Sequence, residues 1–348
     1  EDEARALFRK LEGGDAALHA MWQEFRDVSV ANFERMYGVL GISFDIGNGE
    51  SFYTEFIPKA IEEALAKGAA QYGEALDGGG AKPVVVNLEA FKLPSFLLQK
   101  SDGASLYGAR DIAVVKWRLE HYDVEKIIYV VGHEQELYLK QIFKTMGLMG
   151  YPEEKLAHVS YGMVTQGGKK ISTRTGNIVF LEDGFLDAIA RAKGIREVGI
   201  GAIIYNMLSM GREHDIAFSW DAAMSVQGNS APYIQYAYVR AKAILEKAGA
   251  LSPLPSPYPH PVGVREAALL KLVAHFPSAV RQAQALSAPH MMATFLNAFA
   301  QEFNRFYASV PVLEEGEGRD LRLALVAASA QVIENGLWLL GIAVPERM

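Results

Sequence analysis

Cysteine is absent from this 348-residue chain, which excludes disulfides and thiolate-held metals and favours a reducing compartment. No apolar run reaches the roughly 20 residues that a membrane-spanning helix needs. The opening residues, EDEARALFRK, are acidic and polar, unlike a signal peptide, so a cytoplasmic protein without a membrane partner is expected. Neither a GxxxxGK[ST] phosphate loop nor a GxGxxG following a strand occurs, so P-loop and dinucleotide-binding chemistry have no support. No His, Asp and Glu cluster has metal-ligand spacing, and no Ser–His–Asp arrangement stands out. A net charge of −7 argues against indiscriminate nucleic-acid binding, though not against a nucleic acid gripped through a local basic surface.

What is present is the balance of a soluble globular protein, half hydrophobic and 22% charged. The length allows two ordinary domains with sizeable cores. Helical periodicity runs over 4–12 and 15–39, with Leu18, Met21, Trp22, Phe25, Phe33, Met36 and Tyr37 as the apolar face. GISFDIGNGESFY breaks it with glycines and Asn48, and 54–66 reads as a further helix. QYGEALDGGGAKPVVVNLE reads as a hairpin turning at the glycines of 78–80. A helix over 105–122 leads to KIIYVVG. Its apolar residues at 127–131 suit a strand covered on both faces in a parallel sheet, and 135–148 is helical again. Strand, helix and strand in this order predict an α/β portion. After Asn177 the pattern is helix upon helix, and from Val226 onward a helical bundle broken by the proline-rich linker SPLPSPYPHPVG at 252–263.

Three stretches carry chemistry. GMVTQGGKKISTRTGN, residues 162–177, sets lysines and an arginine beside glycines and hydroxyls, which can wrap a phosphate chain through backbone N–H groups and mobile cations. Standing alone, it fits a solvated surface turn equally well. In SDGASLYGARD, Tyr107 and Asp111 are four apart on a helix and project from one face. A phenol beside a carboxylate receives a cation with several donors; the competing reading is a surface pair, with Asp111 bridging to Arg110 or Lys116. YVVGHEQ ends a strand in polar groups, and ligands of open α/β sheets sit beyond such ends. His133, Glu134 and Gln135 are therefore well placed.

GKKISTRTGN resembles the signature loop of class I aminoacyl-tRNA synthetases, in the arginine-specific form Lys-Met-Ser-Thr-Arg followed by Gly-Asn. GESFY, KSDGASLYGARDIA, IIYVVGHEQ, APYIQYAYVRAKAIL and the terminal LLGIAVPERM all resemble the arginyl-tRNA synthetase family, in order along essentially the whole chain. Ile171 stands where that family usually has methionine. The family's His-x-Gly-His segment and its N-terminal tRNA-elbow module are not found among these residues. The resemblance is thus to the C-terminal portion: a partial Rossmann-like parallel-sheet catalytic domain over 1–225, then an all-α anticodon-binding bundle over 226–348. A parallel sheet lacking half its strands would expose an apolar edge and be marginally stable.

The resemblance implies a ligase that joins L-arginine to tRNA(Arg), with ATP as substrate, Mg2+ accompanying it, no protein-held metal, and a monomeric state. Glu50, Tyr107, Asp111 and Gln135 would bind arginine, whose planar fork of donors suits carboxylates. Gly162, Met163 and Val164 would lie along the adenine, and Lys170, Ser172 and Arg174 would hold the triphosphate. Removing the cation of Lys170 or Arg174 should slow activation more than it weakens arginine binding. Tyr233, Tyr236, Arg240 and Met348 would meet the tRNA, with Arg240 and Lys242 a local positive patch; from spacing alone, the tyrosines read as core residues of a bundle helix. His214, in the segment REHDIAFSWD that would join the halves, is expected to be structural. The alternative function is a non-catalytic tRNA-binding or regulatory relative that has lost the ATP half-site.

Overall fold

A computed structural model describes residues 2–74, 82–166, 169–170 and 181–348. Two helices lead, α1 (Asp2–Glu12) and α2 (Ala16–Leu40). Asp15 caps α2 by accepting from the backbone N–H of Ala17 at 3.1 Å and Leu18 at 3.0 Å, and Gly41, at φ 69°, ends it in the left-handed conformation. The predicted apolar face of α2 is mostly uncovered: Phe25 is 65% exposed, and Met36 is the one α2 residue recorded as buried. Beyond its junction with α1, α2 meets other helices at its last turns, where Met36 packs with Phe185 and Ile200. Periodicity gave the helix but carried no information on what covers its apolar residues.

A 3₁₀ turn at Glu50–Phe56 runs into α3 (Ile57–Ala66). The expected hairpin is β1 (Gln71–Tyr72) against β2 (Val84–Val86), extended antiparallel by β3 (Phe96–Gln99); its glycine turn lies outside the described residues. Helix α4 (Tyr107–His121) then feeds β4 (Ile127–Gly132), which is followed by α5 (Glu136–Leu148) and β5 (Leu156–Tyr161). Strands β4 and β5 are parallel, from Ile127↔Leu156 to Gly132↔Tyr161, as a β-α-β unit requires. The two-sided burial expected of 127–131 is corrected here. Ile127, Tyr129 and Val131 pack on the core that α4 and α5 share, whereas Ile128 and Val130 are 48% and 63% exposed. An apolar run reports preference for burial, not the presence of a second layer.

Strand β6 (Val164–Gln166) pairs antiparallel with β7 (Lys169–Lys170) and parallel with β8 (Ile216–Ala217). Between them lie α6 (Leu181–Arg191) and α7 (Arg196–Leu208), and α8 (Trp220–Ala223) follows. The helical half comprises α9 (Ala231–Ala248), α10 (Val264–Ala285), α11 (Pro289–Ser309) and α12 (Arg319–Leu339), with 252–263 free of regular structure between α9 and α10. Phe299, Phe303, Phe306, Ile333 and Leu337 are fully buried at its centre. Helix α7 docks onto this bundle through buried Tyr205, whose hydroxyl donates to Ala293 O at 2.9 Å.

Candidate active site

The polar cluster at the open end of β4 is assembled from four elements. Asp111, one turn into α4, accepts a hydrogen bond at Oδ2 from the hydroxyl of Tyr138 on α5. Partial burial raises the pKa of the Asp111 carboxyl, and the nearby charge of Glu50, at the start of the 3₁₀ turn, raises it further; the Tyr138 bond and the cation of Arg118 pull the other way. Burial and the bond to Asp111 push the Tyr138 phenol far above its ordinary range. Tyr129, from β4, is pushed up to about 12, mainly by burial, with the cation of Arg118 pulling the other way. Lys116 does not bridge to Asp111: it pairs with Glu63 at 3.1 Å and with Glu120.

Tyr107 opens α4, 71% exposed, with the Arg110 guanidinium 5.7 Å from its ring. Gln135 stands exposed at the N-cap of α5, three residues before Tyr138. Glu50, Asp111 and Tyr138 thus form one electrostatic group, with Tyr107 and Gln135 on the elements that carry it. Sequence reasoning missed Tyr138. Spacing within α5 gave no signal for it, because its partner lies on α4.

The segment before the basic loop is stitched to the one that joins the two halves. Gly162 N donates to Arg212 O at 2.8 Å, Met163 N to Asp215 Oδ1 at 2.7 Å, and Ile216 N to Met163 O at 2.8 Å. Arg212 in turn donates to Ser160 O and Ser287 O, both at 3.1 Å, tying β5 to the α10–α11 turn. His214 is exposed, and it is its backbone that crowds Gly162. On the far side of the loop, Arg35 of α2 pairs with Glu182 of α6. Arg196 donates to Gly38 O and Val39 O at 2.8 and 2.7 Å. An apolar cavity of about 700 Å³ lies between these feet, lined in part by Met163, Val164, Leu181, Phe185, Phe218 and Trp220. The backbone of Lys170 pairs with Thr165; Ser172 and Arg174 lie outside the described residues.

On α9, Tyr233 packs against the bundle core while Tyr236 is exposed. Arg240 lies 4.7 Å from the Tyr236 ring and 4.4 Å from that of Tyr307 on α11, and it donates to Asn304 Oδ1 at 2.7 Å. Tyr307 and Asn304 escaped the sequence reading because a single helix's spacing does not reveal its neighbour. Met348 is exposed at the chain end.

A parallel β-α-β unit followed by a helical bundle is the architecture of a class I aminoacyl-tRNA synthetase. The family model for tRNA synthetases class I (R), catalytic domain, matches residues 1–220, and that for the DALR anticodon binding domain matches 234–348. The chain belongs to the arginine branch of this class, the arginyl-tRNA synthetase family. The arginine–tRNA ligase of Clostridioides difficile (strain 630) is 40% identical over 365 residues, covering 100% of this chain and 63% of the relative. That of Chloroflexus aurantiacus (strain ATCC 29366 / DSM 635 / J-10-fl) is 41% identical over 374 residues, with the same coverage. Among solved structures, arginyl-tRNA synthetase of Thermus thermophilus superposes with a TM-score of 0.84 at 26% identity, covering 100% of this chain and 68% of that one. Arginyl-tRNA synthetase of Plasmodium falciparum shares the fold, with a TM-score of 0.79 at 23% identity over 97% of this chain and 60% of that one. The chain therefore spans 63% of the length of these curated relatives. Among the described residues, no helix is long and apolar enough to cross a membrane, and no three His, Asp or Glu side chains group to hold a metal ion.

Proposed function

We propose that the chain works in arginine–tRNA ligation, activating L-arginine with ATP and passing it to tRNA(Arg). The observation that carries this reading is the half-buried Asp111 carboxylate, held by Tyr138 beside Glu50, in a chain matched end to end by arginine–tRNA ligases. Glu50, Tyr107, Asp111 and Gln135 receive arginine, whose guanidinium fork a lysine lacks. Gly162, Met163 and Val164 lie along the adenine; Lys170, Ser172 and Arg174 hold the triphosphate, and Mg2+ arrives on its phosphate oxygens. The arginine carboxylate attacks the α-phosphate, releasing pyrophosphate, and the terminal ribose hydroxyl of the tRNA then takes the arginyl group. No protein nucleophile is needed, so catalysis rests on positioning and on stabilising phosphate charge. Residues 1–225 do this chemistry, and 226–348 grip the anticodon through Tyr233, Tyr236, Arg240 and Met348. The working form is a cytoplasmic monomer.

The test is arginine-dependent ATP–pyrophosphate exchange by the 348-residue chain, with and without tRNA(Arg). Exchange that Asp111→Asn abolishes supports the ligase reading. Retained tRNA binding with no exchange in either arm would mean that residues outside this chain carry an indispensable part of the ATP site, or that the chain is a non-catalytic tRNA-binding relative.

A further inference from the structure

We propose that Tyr138 is a positioning residue for arginine recognition: by donating its hydroxyl to Asp111 Oδ2, it holds the carboxylate that receives the guanidinium. This rests on the reading that Asp111 binds arginine. The bond spans two helices, from α5 to α4, between residues 27 apart in the chain, and both partners are partly buried. A phenylalanine would fill the same space, so packing alone does not call for the hydroxyl.

Asp111 meets charge and polarity from every element around it. Arg118 lies two turns on along α4, Glu50 approaches from the 3₁₀ turn, Tyr129 rises from β4, and Tyr138 comes from α5. Burial and Glu50 oppose ionisation of Asp111; Tyr138 is the hydrogen-bond donor that favours it, with Arg118 assisting. A carboxylate has about four lone-pair sites. One bond at Oδ2 steadies the group and leaves acceptor capacity for a guanidinium fork.

Tyr138→Phe in the full chain removes the donor and keeps the ring. Binding of L-arginine is measured by calorimetry between pH 5 and pH 8, together with the Asp111 carboxyl titration by carbon NMR without arginine. The expected result is binding about tenfold weaker at neutral pH, the scale of one hydrogen bond to a charged group. Its acid limb and the Asp111 midpoint should both move to higher pH. A Tyr138→Phe chain with unchanged affinity and an unchanged Asp111 midpoint overturns the proposal. Asp111→Asn, which still offers Tyr138 an acceptor oxygen, should abolish arginine binding without loss of melting temperature. If wild-type chain takes up no arginine, or Asp111→Asn binds it equally well, the arginine reading fails, and the positioning role with it. The Asp111 midpoint then tells the two failures apart, since it moves in Tyr138→Phe only if the hydrogen bond is real.

Discussion

Gly162 and His214 approach so closely that a Cβ on the glycine would lie 2.4 Å from the His214 carbonyl oxygen. The obstacle is backbone, not a side chain that can swing away. The junction between β5 and β6 and the 212–216 segment are therefore locked together.

Gly162→Ala is expected to force that backbone apart. Overpacking costs about 1–3 kcal/mol, and a backbone obstacle places this variant in the upper part of the range. Calorimetry should record a melting temperature several degrees lower. The hydrogen bonds from Met163 N to Asp215 and from Ile216 N to Met163 O should lose hydrogen-exchange protection first. An alanine chain with wild-type stability and protection would mean that the segment yields at no cost.

Asp111→Asn should separate stability from binding. In the folded chain the Asp111 carboxyl has a raised pKa, so the native state holds a proton more tightly than the unfolded chain does. Its stabilising contribution is present at low pH and is lost as pH rises through the folded pKa. At neutral pH the ionised carboxylate is thus a cost, which the amide removes. The variant should melt roughly 1–3 °C higher at pH 7.5, with the gain shrinking toward pH 4. A lower melting temperature at pH 7.5 would show that the charge stabilises this cluster.

Much of this arrangement was legible beforehand, and the rest was hidden for physical reasons. Spacing put Tyr107 and Asp111 one turn apart on α4, yet Asp111 bonds Tyr138 while Tyr107 lies against Arg110; the strand end at Gly132 followed from a β-branched run closing in glycine. Tyr138, Asn304 and Tyr307 could not be found that way, since each meets its partner across a helix–helix contact that no spacing within one segment records. Phe25 and Val130 show the converse: an apolar pattern states which face seeks cover, while exposure depends on whether another layer arrives.

Ile128 and Val130 lie on the uncovered face of β4, and Ile127 and Tyr129 on the covered one. Val130→Thr should therefore leave the melting transition within about 0.5 kcal/mol of wild type, as exposed positions usually do, while lowering light scattering in concentrated solution. Ile127→Ala removes packing from the covered side, where Ile127 is partly buried, and should cost more, about 1–3 kcal/mol. Equal losses from the two changes would mean that the outer face of β4 is packed in solution.

Arg240 is engaged on three sides, by the rings of Tyr236 and Tyr307 and by Asn304. A guanidinium so occupied serves chiefly to fix the two rings, a task for its flat face that a lysine ammonium performs poorly. If this surface receives unpaired anticodon bases, Tyr236→Ala should weaken tRNA(Arg) binding by about 1–3 kcal/mol, the worth of one base stacked on an aromatic ring. Arg240→Ala and Arg240→Lys should weaken it alike, and the salt dependence should barely change, because no phosphate contact is lost. Filter binding across a salt series checks both statements. Rescue of affinity by Arg240→Lys, with the salt slope of Arg240→Ala lower by about one, would instead make Arg240 a phosphate contact and the tyrosines its supports.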